Sequence, residues 1–203
     1  MPERGKYDEA AIHSILDAAF LCHVSFAIEG QPFCIPTLYA RKGNSLFLHG
    51  SAASRMLREL QKGIPVCITV TLLDGLVLAR SAFHHSINYR SAVVFGTARL
   101  VDDPTEKMES LEAISENVIP GRWSEVRGPT PLEMKATTVI RVDIDEASAK
   151  VRSGIPKDDD EDYELPIWAG VLPLSVVTGE PVDDGRIPQD TPVAASVANY
   201  RRI

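Results

Sequence analysis

The stretch from Val66 to Leu100, "VCITVTLLDGLVLARSAFHHSINYRSAVVFGTARL", constrains the fold more than any other. From Ser91 onward, Val93, Phe95, Thr97 and Arg99 alternate with Val94, Gly96, Ala98 and Leu100, the period-2 pattern of an extended strand. Upstream, "VCITVTLL" and "LVLARSAF" flank Asp74-Gly75, so the sequence predicts a hairpin turning there. Between these blocks two histidines, a serine, an asparagine, a tyrosine and an arginine crowd together, a large hydrogen-bonding capacity for one segment.

The same reading extends through the chain. "CHVSFAI", "FCIPTLYA" and "SLFLH", separated by "EGQP" and "RKGN", predict an antiparallel meander. Asp8 caps a first helix with Ala11, Ile12, Ile15, Leu16 and Ala19 at helical spacing. "SAASRMLRELQKG" predicts a short helix ended by Gly63. In "DDPTEKMESLEAISENVI", Asp103, Pro104 and Glu106 form a complete start signal, and Thr130, Pro131 and Glu133 repeat it. "TTVIRVDI" and "SAKVRS" return to strand, "PKDDDEDYE" reads as a solvated loop, and "LPIWAGVLPL" is again apolar. There is no internal repeat, and no Gly-rich βαβ turn of the dinucleotide-binding type. The expectation is a mainly β barrel with peripheral helices: one domain over 1–187 and a tail of uncertain order over 188–203.

At 203 residues the chain suits a single domain with a sizeable core. A net charge of -7 argues against nucleic acid or an acidic membrane as partner, leaving small molecules. Three cysteines without a C-x-x-C pair argue against a disulfide framework or a zinc site, and no apolar run reaches membrane-spanning length. A cytoplasmic protein is expected.

Two segments carry candidate chemistry. In "LHGSAASRMLREL", His49 and Gly50 end a strand, and Ser51, Ser54 and Arg55 enter a helix, where backbone N–H groups, hydroxyls and a guanidinium suit a phosphate. The alternative is that the serine only caps the helix. In "HHSINYRS", His84 and His85 face opposite ways on a strand and cannot share one metal ion, so no metal site is expected. Asn88, Tyr89, Arg90 and Ser91 suit the polar edge of a heterocycle, or else a turn and a solvated edge.

Together, "FCIPTLYA", "LFLHGSAASRMLREL", the long run ending "GTARLVDD" and "LPIWAGVLPL" resemble the pyridoxamine 5'-phosphate oxidase-related flavoproteins, over roughly residues 7–173. The similarity is strongest to the flavin-nucleotide-binding and nitroimidazole-resistance branch. It implies a six-stranded Greek-key split barrel, a homodimer with FMN at the subunit interface, and electron transfer from reduced FMN to a small-molecule acceptor, with no catalytic side chain required. By the resemblance, Ser51, Ser54 and Arg55 match the phosphate turn, with His49 and Gly50 beside the ribityl chain and ring. Thr37 and Tyr39 match the strand beneath the isoalloxazine, Asn88 to Ser91 the segment reaching flavin across the dimer, and Trp168 a late aromatic near the ring. Two departures stand out. Met56 replaces the second basic residue of the phosphate turn, with Arg58 a substitute one turn on, which implies weaker FMN binding. The acidic, proline-rich "VVTGEPVDDGRIPQDTPV" replaces a basic C-terminal signature, which argues against pyridoxamine phosphate oxidation. The other readings are a flavin-binding protein without turnover, and a haem-binding split barrel with His84, His85 or His23 as axial ligand.

Overall fold

A computed structural model describes residues 5–201. Nine strands form its sheet: β1 (Gly5–Lys6), β2 (Leu21–Ile28), β3 (Gln31–Lys42), β4 (Ser45–Ser51), β5 (Pro65–Leu78), β6 (Ser86–Leu100), β7 (Thr137–Asp143), β8 (Glu146–Arg152) and β9 (Gly170–Pro173). The helices are α1 (Glu9–Ala18), α2 (Arg55–Leu60), α3 (Pro104–Val118), α4 (Pro131–Ala136) and α5 (Ala195–Ala198). Among the described residues no helix is long and apolar enough to cross a membrane.

Strands β6, β7, β4, β3, β2 and β5 follow one another, and β5 returns to β6, so six antiparallel strands close a ring. The closure is uneven. β2 meets β5 only over Cys67–Thr69, and β6 meets β7 only over Ala98–Leu100, while β8 pairs with the earlier part of β6. This is the split barrel expected. β7 inserts between β4 and β6, joining a late segment to the early meander.

The interior is the alternating face of each strand: Cys22, Val24 and Phe26 from β2, Leu46 and Leu48 from β4, Val66, Ile68 and Val70 from β5, and Ile140 and Val142 from β7. Desolvation pushes the buried Cys22 thiol up to about 12, so it packs as a small hydrophobe. Ile12, Ile15 and Leu16 of α1 and Met56, Leu57 and Leu60 of α2 join this core. The opposite face of β4 supplies Phe47 to a second, smaller cluster with Ala40, Val139 and Ile114 of α3.

Asp8 accepts from the Ala11 N–H at 2.8 Å, and Thr130 with Glu133 forms the full reciprocal capping box. At α3 only half of the expected box exists: Asp103 accepts from the Glu106 N–H at 2.7 Å, while the Glu106 carboxylate turns to Arg141 at 3.3 Å. Asp74-Gly75 is not a turn. β5 runs straight through it, with a register shift between Leu73 and Gly75 against β6, and the chain reverses instead over 79–85. Gly75 is needed there because a Cβ would lie 3.0 Å from the Val171 side chain and 3.1 Å from the Leu172 carbonyl of β9. The dipeptide thus marks a bulge rather than a reversal.

The acidic loop also departs from expectation. The Asp158 side chain is buried, accepting from the Arg80 N–H at 2.9 Å, the Ser81 N–H at 3.3 Å and the Arg80 guanidinium at 3.1 Å. Arg80 in turn lies 5.0 Å over the Tyr163 ring. One carboxylate of the run therefore ties this segment to the β5–β6 connection. In the tail, α5 docks through Ser196, whose N–H donates to Glu125 at 2.9 Å.

Candidate functional site

Period-2 alternation sends Leu46 and Leu48 into the barrel, and Phe47 and His49 to the side where α3 packs. Gly50 follows, and a Cβ there would lie 3.0 Å from the Leu57 side chain, so glycine lets α2 close on the strand end. Ser51 sits opposite Thr137 of β7 and folds the chain over: its carbonyl accepts from the Ser54 N–H at 2.9 Å, and its hydroxyl from the Ala53 N–H at 3.2 Å. Ser54 occupies the N-cap of α2, yet its hydroxyl makes no capping bond. The exposed Arg55 lies 4.8 Å over the Phe33 ring and has no carboxylate partner among the described residues. Met56 is buried in the core, which explains why a second basic residue is absent there, whereas Arg58 is exposed one turn on. The turn therefore offers the Ser51 and Ser54 hydroxyls and, on Arg55 and Arg58, two guanidinium groups without a carboxylate partner among the described residues.

Tyr39 is not part of this surface. Its ring is fully buried and its hydroxyl donates to the Leu16 carbonyl at the end of α1, so its side chain is a core strut rather than a flavin contact. Thr37 lies two residues earlier on the same face, half-buried.

The second segment is largely committed to the sheet. Asn88 is buried, donates to the Gly154 carbonyl at 3.1 Å and accepts from Arg152, so both ends of its amide are engaged within the chain. Arg90 grips Asp74 in a two-pronged pair, with contacts of 3.0 and 2.8 Å, which raises its pKa further. The Ser91 hydroxyl meets that of Thr71 at 3.2 Å, and Lys150 lies 6.0 Å from the Tyr89 ring centre. Tyr89 and Ser91 remain half-buried on the outer sheet face. Within one chain this segment does not join the β4 turn: β7 separates the two strands, and β6 reaches β7 only at Ala98–Leu100. Trp168 stands apart from both, 68% exposed ahead of β9, with its indole folded over Gly170.

The other histidines are accounted for. His85 Nδ1 accepts from the Ala79 N–H at 3.0 Å, His84 Nε2 meets Asp159 at 3.3 Å, and His23 is exposed on the outer face of β2.

One feature escaped the sequence reading: a cleft of about 610 Å³ between the end of β4 and α3, within the ~300–1,000 Å³ range of cofactor-sized sites. Leu38, Leu111, Ile114, Val118 and Trp123 give it apolar walls, and His49 lies in it with Arg122 and Arg127. The buried His49 Nδ1 has no hydrogen-bond partner, and burial pushes the imidazole pKa down, so it is neutral at pH 7. Arg127 is held by Glu133 at 2.7 and 2.6 Å, and Arg122 touches Glu125 only at 3.4 Å. The available signal was the 3–4 spacing of Leu111, Ile114, Ser115 and Val118, a helical face longer than the small cluster beneath it requires. Among the described residues no group of His, Cys, Asp and Glu side chains is arranged to hold a metal ion by itself.

Comparison with known proteins fits this geometry. Residues 8–151 match the family model of pyridoxamine 5'-phosphate oxidase. The chain is similar to the flavocytochrome Anf3 of Azotobacter vinelandii, at 40% identity over 98% of this chain and 92% of that one, with a TM-score of 0.90. It is similar to the FAD and heme binding protein of Mycobacterium smegmatis, at 36% identity over 96% of each chain and a TM-score of 0.91. A candidate 5-nitroimidazole antibiotic resistance protein of Bacteroides thetaiotaomicron shares 25% identity over 72% of this chain and 87% of that one, with a TM-score of 0.61. No curated protein sequence matches the chain. Barrel topology, strand-end turn and a match over most of the length agree: the chain belongs to the pyridoxamine 5'-phosphate oxidase family.

Proposed function

We propose that this protein is a redox flavoprotein that carries a haem as a second group and passes electrons to a small-molecule acceptor. The observation that carries the flavin reading is the β4–α2 turn, where the Ser54 hydroxyl makes no capping bond and the Arg55 guanidinium, stacked on Phe33, has no carboxylate partner among the described residues. That donor set suits the 5'-phosphate common to FMN and FAD, and FMN is the smaller ligand that satisfies it. A bound flavin supplies hydride and single-electron chemistry, and the protein supplies orientation and electrostatics. Haem enters the reading because the relatives at 40% and 36% identity, similar over nearly the whole chain, are described as a flavocytochrome and as an FAD and heme binding protein.

A homodimer belongs to the same proposal. The outer face of β3, β2, β5, β6 and β8 exposes Leu21, Leu73 and Phe95 beside Cys34, Pro36, His23 and Thr71, a sheet face with nothing packed on it among the described residues. Face-to-face pairing would bring Tyr89 and Ser91 of one copy against the other and complete the site. The three free cysteines and the net charge of -7 support a reducing, cytoplasmic setting.

The test begins with the visible spectrum of purified protein after flavin saturation, and the released flavin identified as FMN or FAD. Arg55→Ala should weaken flavin binding by about 1–3 kcal/mol, the worth of a hydrogen bond to a charged group. Unchanged affinity would place the phosphate elsewhere. Phe95→Glu should give a monomer by light scattering; an unaltered dimer would move the interface off this face.

A further inference from the structure

The β4–α2 turn leaves the neighbouring cleft unexplained. It is roomy, mostly apolar, and holds a single imidazole whose buried Nδ1 has no partner. An apolar cleft of this size suits an apolar ligand with a few polar contacts, and the imidazole that lines it has its Nδ1 buried without a partner, a cost that an engaged ring would offset. Two arginines also line the cleft, with Glu133 beside them. Arg122 makes one long contact to Glu125 and so keeps most of its five N–H donors. Arg127 is shared with Glu133.

The chain has five histidines, and four are poorly placed to hold an iron. His13 sits on α1 within 3.7 Å of Glu9, His23 lies on the exposed sheet face, and His84 faces Asp159. His85 uses Nδ1 as an acceptor from Ala79, which leaves its proton on Nε2 and that nitrogen without a lone pair to give. His49 alone among them lines the cleft.

We propose that this cleft is the haem site: His49 is the axial ligand to the iron, the walls of Leu38, Leu111, Ile114 and Val118 cover the porphyrin, and Arg122 and Arg127 receive the propionate carboxylates. The proposal rests on the two-cofactor reading and names its second site. Haem is the chemistry that matches one imidazole, an apolar cleft and two arginines in its lining. The imidazole donates a lone pair and keeps its proton on the other nitrogen, so no electron or proton is exchanged on binding. Because Ser51 is paired with Thr137, which lines the cleft, the phosphate turn and the haem site adjoin across one strand pair.

Titration of the haem-free protein with haemin, followed by the Soret band and by electron paramagnetic resonance, tests this. Wild type should bind one equivalent per chain with the signature of a nitrogen ligand. His49→Ala should lose that signature, and His49→Gly should regain it when free imidazole is added. His84→Ala and His85→Ala should behave as wild type. Haemin dimethyl ester, which lacks the propionate charges, should bind wild type roughly 10- to 100-fold more weakly, as expected for charged hydrogen bonds. If the His49 variants fail to fold, Leu111→Trp, which fills the cleft from α3, should block haemin and leave flavin binding intact. A wild type that takes no haemin overturns the two-cofactor reading itself. Haemin bound with an unchanged spectrum in His49→Ala or His49→Gly, by Leu111→Trp as by wild type, or lost only in a His84 or His85 variant, overturns the placement and leaves that reading standing.

Discussion

Gly96→Ala should disrupt the barrel where β6 changes partners. Phe95 still pairs with Glu146 of β8, while Ala98 pairs with Val142 of β7, so the strand passes between two sheets around residue 96. A Cβ there would stand 2.2 Å from the Asp143 carbonyl oxygen and 2.8 Å from Val142 Cγ1. Since carbon contacts settle near 3.5–4.0 Å, β6 and β7 must separate by about 1 Å or more, and backbone cannot swing aside like a side chain. Overpacking alone costs about 1–3 kcal/mol. The shift also strains two flanking hydrogen bonds, Asp145 N–H to Phe95 O at 3.1 Å and Ala98 N–H to Ile64 O at 3.0 Å. Each is worth ~0.5–1.5 kcal/mol, so the expected loss is about 2–6 kcal/mol. For a chain of this size that lowers Tm by about 4–24 °C. Urea unfolding of the cofactor-free protein measures it. Gly128→Ala serves as control, because nothing lies within 4 Å of a Cβ there and it should change little. A Gly96→Ala protein within about 1 kcal/mol of wild type would refute the claim that the strand crossing requires glycine.

Asn88→Ala should cost about 1–3 kcal/mol in stability, because Arg152 and the Gly154 carbonyl lose their partner, while flavin affinity stays as in wild type; collapse of affinity with stability retained would restore Asn88 as a flavin reader. Glu133, held by Arg127 and by the Thr130 N–H, has its pKa pulled from 4.5 to about 2. A depressed carboxylate stabilises the fold above its unfolded value and loses that contribution as pH falls through its folded one. Between pH 4.5 and about 2, wild type should therefore lose stability more steeply than Glu133→Gln, which keeps the cap geometry. Parallel curves in urea titrations across that range would contradict the assignment.

Local structure was legible because it is written in short-range chemistry. Asp8, Asp103 and Thr130 cap their helices as their side chains dictate, and the alternation of "CHVSFAI", "FCIPTLYA" and "SLFLH" yields the meander of β2, β3 and β4. The strand-end turn from His49 to Arg55 could be found for the same reason, since glycine, small hydroxyl residues and arginine at a strand-to-helix junction have few uses. The Asp74-Gly75 bulge could not, because a hairpin and a bulge share that dipeptide; the packing of β9 against Gly75 decides between them. Tyr39 and Asn88 carry polar groups that suit a ligand as well as they suit the protein. Only the tertiary placement of Leu16, Arg152 and Gly154 shows those groups already bonded.

By itself the sequence determined which segments become strands and helices, which family pattern they follow, and that one strand end carries hydroxyl and guanidinium donors of the kind that suit a phosphate. The tertiary structure alone decided the rest. Burial and hydrogen-bond satisfaction depend on which distant residues meet, so it took the packing of α3 against β4 to show His49 as an unpartnered imidazole in an apolar cleft.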